Sequence, residues 1–227
     1  MSSVYQVYPK KKGGFVLSLN LKLIILNIIF SLVFFILLYV NADFFKYIAI
    51  NPNNILHGKY LWTFFTSMFV HGGFFHLFVN MLSLFFVGSL VERILGRKRY
   101  LSFYIASGLI AGLFFVLSGL FFPSNFASYA VGSSGAIFGL VGLLVLLTPN
   151  LPIYIIPIPI PIKMKYAGAG MLIFLWLISS VPLVFGGKSF PIANSAHFGG
   201  LLAGIVYGIY LRKRYKNKTR MISKYFS

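Results

Sequence analysis

Long apolar runs recur along the chain, each close to the ~20 residues that a helix rising ~1.5 Å per residue needs to cross a hydrocarbon layer of ~30 Å. Six stand out, at 21–40, 74–91, 100–122, 133–148, 166–185 and 193–211, the fourth being the shortest. The pattern predicts an all-α membrane protein, a bundle of six transmembrane helices over residues 21–211. No small-x-small cleavage site accompanies the first run, so 21–40 reads as a retained span and not a removed signal. Residues 1–20 are read as a cytosolic segment and 212–227 as a basic cytosolic tail.

Two stretches break the pattern. Residues 41–73 carry Tyr47, Tyr60, Trp62 and several phenylalanines. They are too apolar for a free loop and too broken for a span, which suits a connector lying in the outer interface. Residues 148–162, TPNLPIYIIPIPIPI, alternate proline with apolar residues and predict an extended connector at the cytosolic surface.

Composition agrees with the pattern: 59% of the 227 residues are hydrophobic, 10% are charged, and the mean hydropathy is +0.88. The formal net charge of +18 does not make a nucleic-acid face, because the basic residues cluster between the apolar runs. They report topology instead. With both termini cytosolic, Lys10, Lys11, Lys12, Lys22, Arg93, Arg97, Lys98, Arg99, Lys163, Lys165 and the seven basic residues of 212–224 lie inside, while Lys46, Lys59 and Lys188 lie outside. The tail is expected to contact anionic lipid. The chain has no cysteine, which excludes disulfides, thiolate nucleophiles and thiolate metal sites. No cofactor or metal is implied.

Polar side chains inside a bundle are expensive, so each is a candidate for function. The second span opens with His71, His76 and Asn80, the fourth with Gly132-Ser133-Ser134-Gly135, and the sixth with Asn194-Ser195-Ala196-His197. Spans two, four and six run in the same direction, so all three sets fall at the outer end at similar depth. His76 and Asn80, four residues apart, share one helix face. His197 shares its face with Gly200, Gly204 and Gly208, and Gly135, Gly139 and Gly142 line the fourth span. Glycine stripes of this kind permit close helix approach, which brings the Ser134 hydroxyl to the His197 imidazole as a nucleophile with a base. The only acids are Asp43 in the connector and Glu92 at the other end of span two, which points to a dyad without a carboxylate. Glu92 is expected to partner nearby arginines or backbone amides, and His57 to be a surface residue.

These residues resemble the rhomboid family of intramembrane serine proteases. The likeness rests on Gly132-Ser133-Ser134-Gly135 as G-x-S-G, His76-x-x-x-Asn80, and Ala196-His197-x-x-Gly200 with Gly204, in the family's order. His71, Glu92-Arg93, Leu95-Gly96 and the connector with Trp62 extend it over roughly 55–210. The resemblance implies a rhomboid-like six-helix bundle in the cell membrane and cleavage of transmembrane protein substrates near the outer face. It assigns Ser134 as nucleophile, His197 as base, and His76, Asn80 and the Ser134 amide as the oxyanion hole. Gly132 permits the backbone beside the serine, and the register selects Ser134 over its neighbour Ser133. Two positions depart from the family. Thr63 replaces a common arginine, and Phe138 replaces a tyrosine that packs on the histidine. His71 is read as a polar support for the outer connector. Residues 185–192, with Gly186-Gly187, are expected to form a mobile cap over the site.

The alternatives are a transporter or channel with a polar outer vestibule, and a catalytically inactive, client-binding relative. A conducting path needs polar groups through the inner half as well, yet spans four and six are apolar and glycine-rich there. Intact Ser134 and His197 weigh against the inactive reading.

Overall fold

The computed structural model describes residues 17–154, 160–184 and 193–226. The expected cap at 185–192 and the middle of the proline-rich segment, 155–159, lie outside the described residues. Among the described residues, six helices of 14 residues or more form the bundle: α1 Leu19–Val40, α2 Phe74–Leu95, α3 Arg97–Phe121, α4 Ser134–Leu147, α5 Met164–Val184 and α6 Asn194–Arg214. A short basic helix, α7 Lys216–Tyr225, follows them. Among the described residues α1, α2 and α3 are long and apolar enough to cross a membrane, while Ser134–Leu147 and Met164–Ile178 are shorter apolar helices. Side chains such as Ile36, Phe86, Phe121 and Trp176 stand exposed around the bundle. A chain whose solvent is lipid leaves such groups outside and satisfies its backbone polar groups within helices.

Helix α4 is the centre. From Gly135 to Leu144 every residue is buried, which explains why its sequence is apolar all round and not amphipathic. At ~1.5 Å per residue its 14 residues span about 21 Å, less than a hydrocarbon layer. It packs most extensively against α6. A β-carbon at Gly200 would run into the Gly135 carbonyl oxygen, one at Gly204 into the Gly139 carbonyl, and one at Gly142 into the Leu201 carbonyl. The two backbones therefore lie closer than any larger residue permits.

The opposite end of the bundle is tied by polar groups. Glu92 accepts from the Leu19 amide at 3.0 Å and the Asn20 amide at 2.8 Å, capping the start of α1. It also lies 3.6 Å from Arg97 Nε. Helix α2 widens into a π-turn at Leu84–Gly88. There Asn20 donates to the Leu84 carbonyl at 2.9 Å and accepts from the Tyr100 hydroxyl at 2.6 Å. Gly88 leaves room for both, since its missing β-carbon would fall on Asn20 Oδ1. Gly96, at φ +77°, turns the chain from α2 into α3.

The connector between α1 and α2 is a series of short helical turns, at Ala42–Phe44, Phe45–Ile48, Pro52–Leu56, Thr63–Thr66 and Ser67–Phe69. Trp62 Nε1 donates to the Tyr47 carbonyl at 2.8 Å, and the rings of Tyr47, Tyr60 and Trp62 pack edge to face. Thr63 is buried and its hydroxyl donates to the Tyr60 carbonyl at 2.7 Å, so this position closes a local turn. Ile50 forms an antiparallel bridge with Ala130, and the Gly132 amide donates to the Ser67 carbonyl at 2.8 Å. These contacts brace the loop that leads into α4. In the proline-rich segment, β1 Pro152–Ile153 pairs antiparallel with β2 Ile162–Lys163, in line with an extended connector.

Candidate active site

Ser134 is the first residue of α4. Its amide and those of Gly135 and Ala136 have no acceptor within the helix, whereas the Ile137 amide already donates to the Ser133 carbonyl, so the first three face out of its N-terminus with a partial positive charge. Gly132 precedes it at φ +124°, a conformation open to glycine and strained for any side chain. His197 lies in the first turn of α6, buried, at 6% exposure. The glycine-mediated approach of α4 and α6 brings Ser134 Oγ to 2.8 Å from His197 Nε2. Phe138, one turn below Ser134 on the same face, stacks on the imidazole with centroids 4.6 Å apart and planes inclined by 21°. A ring is retained there without a hydroxyl.

His197 Nδ1 is buried and has no hydrogen-bond partner among the described residues. Neither carboxylate is near it by these contacts: Glu92 caps α1, and Asp43 is exposed with Lys46 at 3.6 Å. His76 and Glu92 sit on α2 sixteen residues apart, about 24 Å along the helix.

His76 stands on the other side of the serine. Its Nδ1 is 3.4 Å from the Gly72 amide, which donates to it, and this leaves the proton on Nε2. A β-carbon at position 132 would sit 2.9 Å from His76 Nε2 and 3.8 Å from Ser134 Oγ. The space kept free by Gly132 is thus bordered by a ring N–H and the serine hydroxyl. Asn80, one turn further along α2, donates from Nδ2 to the His76 carbonyl at 2.8 Å and meets Ser133, at 3.4 Å, in place of Ser134. A small cavity beside Ser134 is lined by Met68, Gly108, Ala111, Gly112 and Phe115.

His71 lies behind this site and is fully buried. Its Nδ1 is 2.9 Å from the Ser31 hydroxyl and its Nε2 3.4 Å from that of Ser133. It therefore links α1 to the loop before α4. Ser31 escaped the sequence reading. The available signal was that Asn20, Asn27 and Ser31, all buried, fall at helical spacing along one face of an otherwise apolar span.

A helical bundle of the membrane, in which a serine hydroxyl and an imidazole from two helices meet beside a glycine with positive φ, is the class that fold and site define. A family model described as Rhomboid domain matches residues 58–214, and the chain belongs to the rhomboid family. RHOMBOID-like protein 1 of Arabidopsis thaliana is 36% identical over 161 residues, which cover 70% of this chain and 37% of that protein. Rhomboid protease GluP of Bacillus subtilis (strain 168) is 31% identical over 152 residues, 67% of this chain and 26% of the relative. Inactive RHOMBOID-like protein 8 of Arabidopsis thaliana is 34% identical over 144 residues, 63% of this chain and 36% of the relative. The aligned part spans less than half the length of these three relatives.

Proposed function

We propose that the chain is a serine endopeptidase that cleaves peptide bonds in or beside transmembrane segments near the outer face of the cell membrane, through a Ser134–His197 dyad. The observation that carries this reading is the 2.8 Å contact between Ser134 Oγ and His197 Nε2. Nε2 takes the serine proton as Oγ attacks the scissile carbonyl, then returns it to the leaving amine as the C–N bond breaks. A water molecule, deprotonated by the same nitrogen, next attacks the acyl carbon; the C–Oγ ester bond breaks and Nε2 returns the proton to Ser134 Oγ. The developing oxyanion is met by the Ser134 amide at the N-terminus of α4, the Nε2–H of His76 and the side-chain amide of Asn80. No metal or cofactor takes part.

In this reading residues 21–211 form a six-helix transmembrane domain, with 41–73 in the outer interface and both 1–20 and the basic tail 212–227 in the cytosol. The positive-inside distribution supports that orientation. Because α4 is shorter than the hydrocarbon layer, its first residue starts below the membrane surface, where a transmembrane substrate is reached. Such a substrate hides its carbonyls in helical hydrogen bonds and must unwind locally before attack. The small volume of the cavity beside Ser134 suits a small side chain next to the cut.

The existence of an inactive relative makes activity the point to test. Labelling by a serine-directed fluorophosphonate, with Ser134→Ala as control, should mark the wild type and Ser133→Ala and spare Ser134→Ala. In proteoliposomes, cleavage of a transmembrane reporter should persist in Ser133→Ala, at a reduced rate, and be lost in Ser134→Ala. Labelling or cleavage that persists in Ser134→Ala would overturn the assignment.

A further inference from the structure

Four polar side chains from α1, the connector, the loop before α4 and α2 form one buried row behind the candidate active site: Ser31, His71, Ser133 and Asn80, with exposures of 0%, 0%, 0% and 5%. The distances fix the direction in which hydrogen bonds run along it. Asn80 Nδ2 is 2.8 Å from the His76 carbonyl, so its amide nitrogen is on that side and its Oδ1 faces Ser133. An amide oxygen only accepts, so the single proton of the Ser133 hydroxyl goes to Asn80 Oδ1. Ser133 then accepts from His71, with the Tyr104 hydroxyl also beside it, which places the His71 proton on Nε2 and leaves Nδ1 as acceptor. Ser31 supplies that last bond: its hydroxyl is 2.9 Å from His71 Nδ1 and 3.5 Å from the Phe69 carbonyl, the nearer partner being the imidazole. No carboxylate borders the row, so a buried imidazole here stays neutral with one N–H, as the chain of donors requires.

We infer that Ser133, oriented by His71 and Ser31, is a positioning residue that clamps the Asn80 side chain so that its amide N–H groups face away from Ser133, one of them toward the oxyanion. The inference rests on the oxyanion role given to Asn80 above. Both Ser133 contacts, at 3.4 Å, are long for a hydroxyl. The clamp is therefore loose before reaction. When an Asn80 N–H donates to a growing negative charge, its carbonyl oxygen becomes a better acceptor and the Ser133 bond strengthens in turn. Ser133 thus acts in the transition state and shows in kcat and not in KM.

The test is a double-mutant cycle on kcat in proteoliposomes, with each preparation normalised to the molecules that fluorophosphonate labels when the reaction is carried to its end point, so that slower labelling does not matter and any unfolded fraction drops out. Loss of an oxyanion donor lowers kcat by about 100-fold, and loss of its clamp, one hydrogen bond, by up to about tenfold. We expect Ser133→Ala to lower kcat by about tenfold at unchanged KM, Ser133→Thr to restore most of it, and Asn80→Ala to lower it by about 100-fold. In the Asn80→Ala background, Ser133→Ala should cost less than about twofold more. An unchanged kcat in Ser133→Ala, or losses that multiply in the double variant, would overturn the clamp. Full activity in Asn80→Ala would remove the oxyanion role on which it rests. Failure of the proteolytic reading itself would appear separately, as labelling that survives Ser134→Ala.

Discussion

Gly200 of α6 lies so close to the carbonyl oxygen of Gly135 in α4 that a β-carbon at position 200 would overlap it. Gly135 adjoins Ser134 and Gly200 is one turn beyond His197, so this backbone contact lies directly under the serine and the imidazole. The separation of the two helices is what sets the 2.8 Å between Oγ and Nε2. A single methyl group at Gly200 should push α6 outward, with an overpacking penalty of about 1–3 kcal/mol. A shift of about 1 Å at a reacting pair costs roughly 100-fold in rate. Gly200→Ala is therefore expected to lower both the thermal unfolding temperature in detergent and kcat. A variant that keeps wild-type kcat would show that the close approach is dispensable.

Gly132→Ala should separate activity from stability. At φ +124° a side chain adds strain of about 1–3 kcal/mol. Its methyl group would also occupy the space 2.8–2.9 Å from the His76 ring. Cleavage and fluorophosphonate labelling should fall by about 100-fold or more, as expected for a blocked oxyanion position, while circular dichroism keeps its helical signal. Undiminished labelling would count against that position.

Phe138 holds the His197 ring by stacking at 4.6 Å. An aromatic pair of this kind is worth about 0.5–1.5 kcal/mol beyond its buried area. Phe138→Leu should reduce kcat by about threefold to tenfold through a less fixed imidazole, the rate equivalent of that energy. Phe138→Tyr, which keeps the ring, should stay near wild type. Equal rates for the two variants would assign the position to packing alone.

Glu92 offers a contrast, because it acts on the fold and not on the chemistry. Replacing its carboxylate, which accepts from the Leu19 and Asn20 amides, by the amide of Glu92→Gln removes a charge from a helix N-terminus and one acceptor oxygen. A loss of about 1–3 kcal/mol in unfolding free energy is expected. kcat per labelled molecule should not change. A drop in kcat without a drop in stability would give Glu92 a role beyond capping.

The sequence alone determined the elements. Apolar run length places six helices within a few residues of where they lie, because in a bilayer each helix must satisfy its own backbone and supply its own hydrophobic surface. The G-x-S-G register, the His76-x-x-x-Asn80 pair and the glycines beside His197 were equally visible, since each is a local pattern on one helix. Tertiary structure decided which side chains meet. That the Asn80 side chain reaches Ser133 and not Ser134, that Ser31 reaches His71, and that Glu92 closes α1 depend on contacts between residues 40 to 73 positions apart. Such contacts follow from how far each helix is rotated and how closely it packs. No single helix fixes either quantity; glycines and side chains from several elements fix both together.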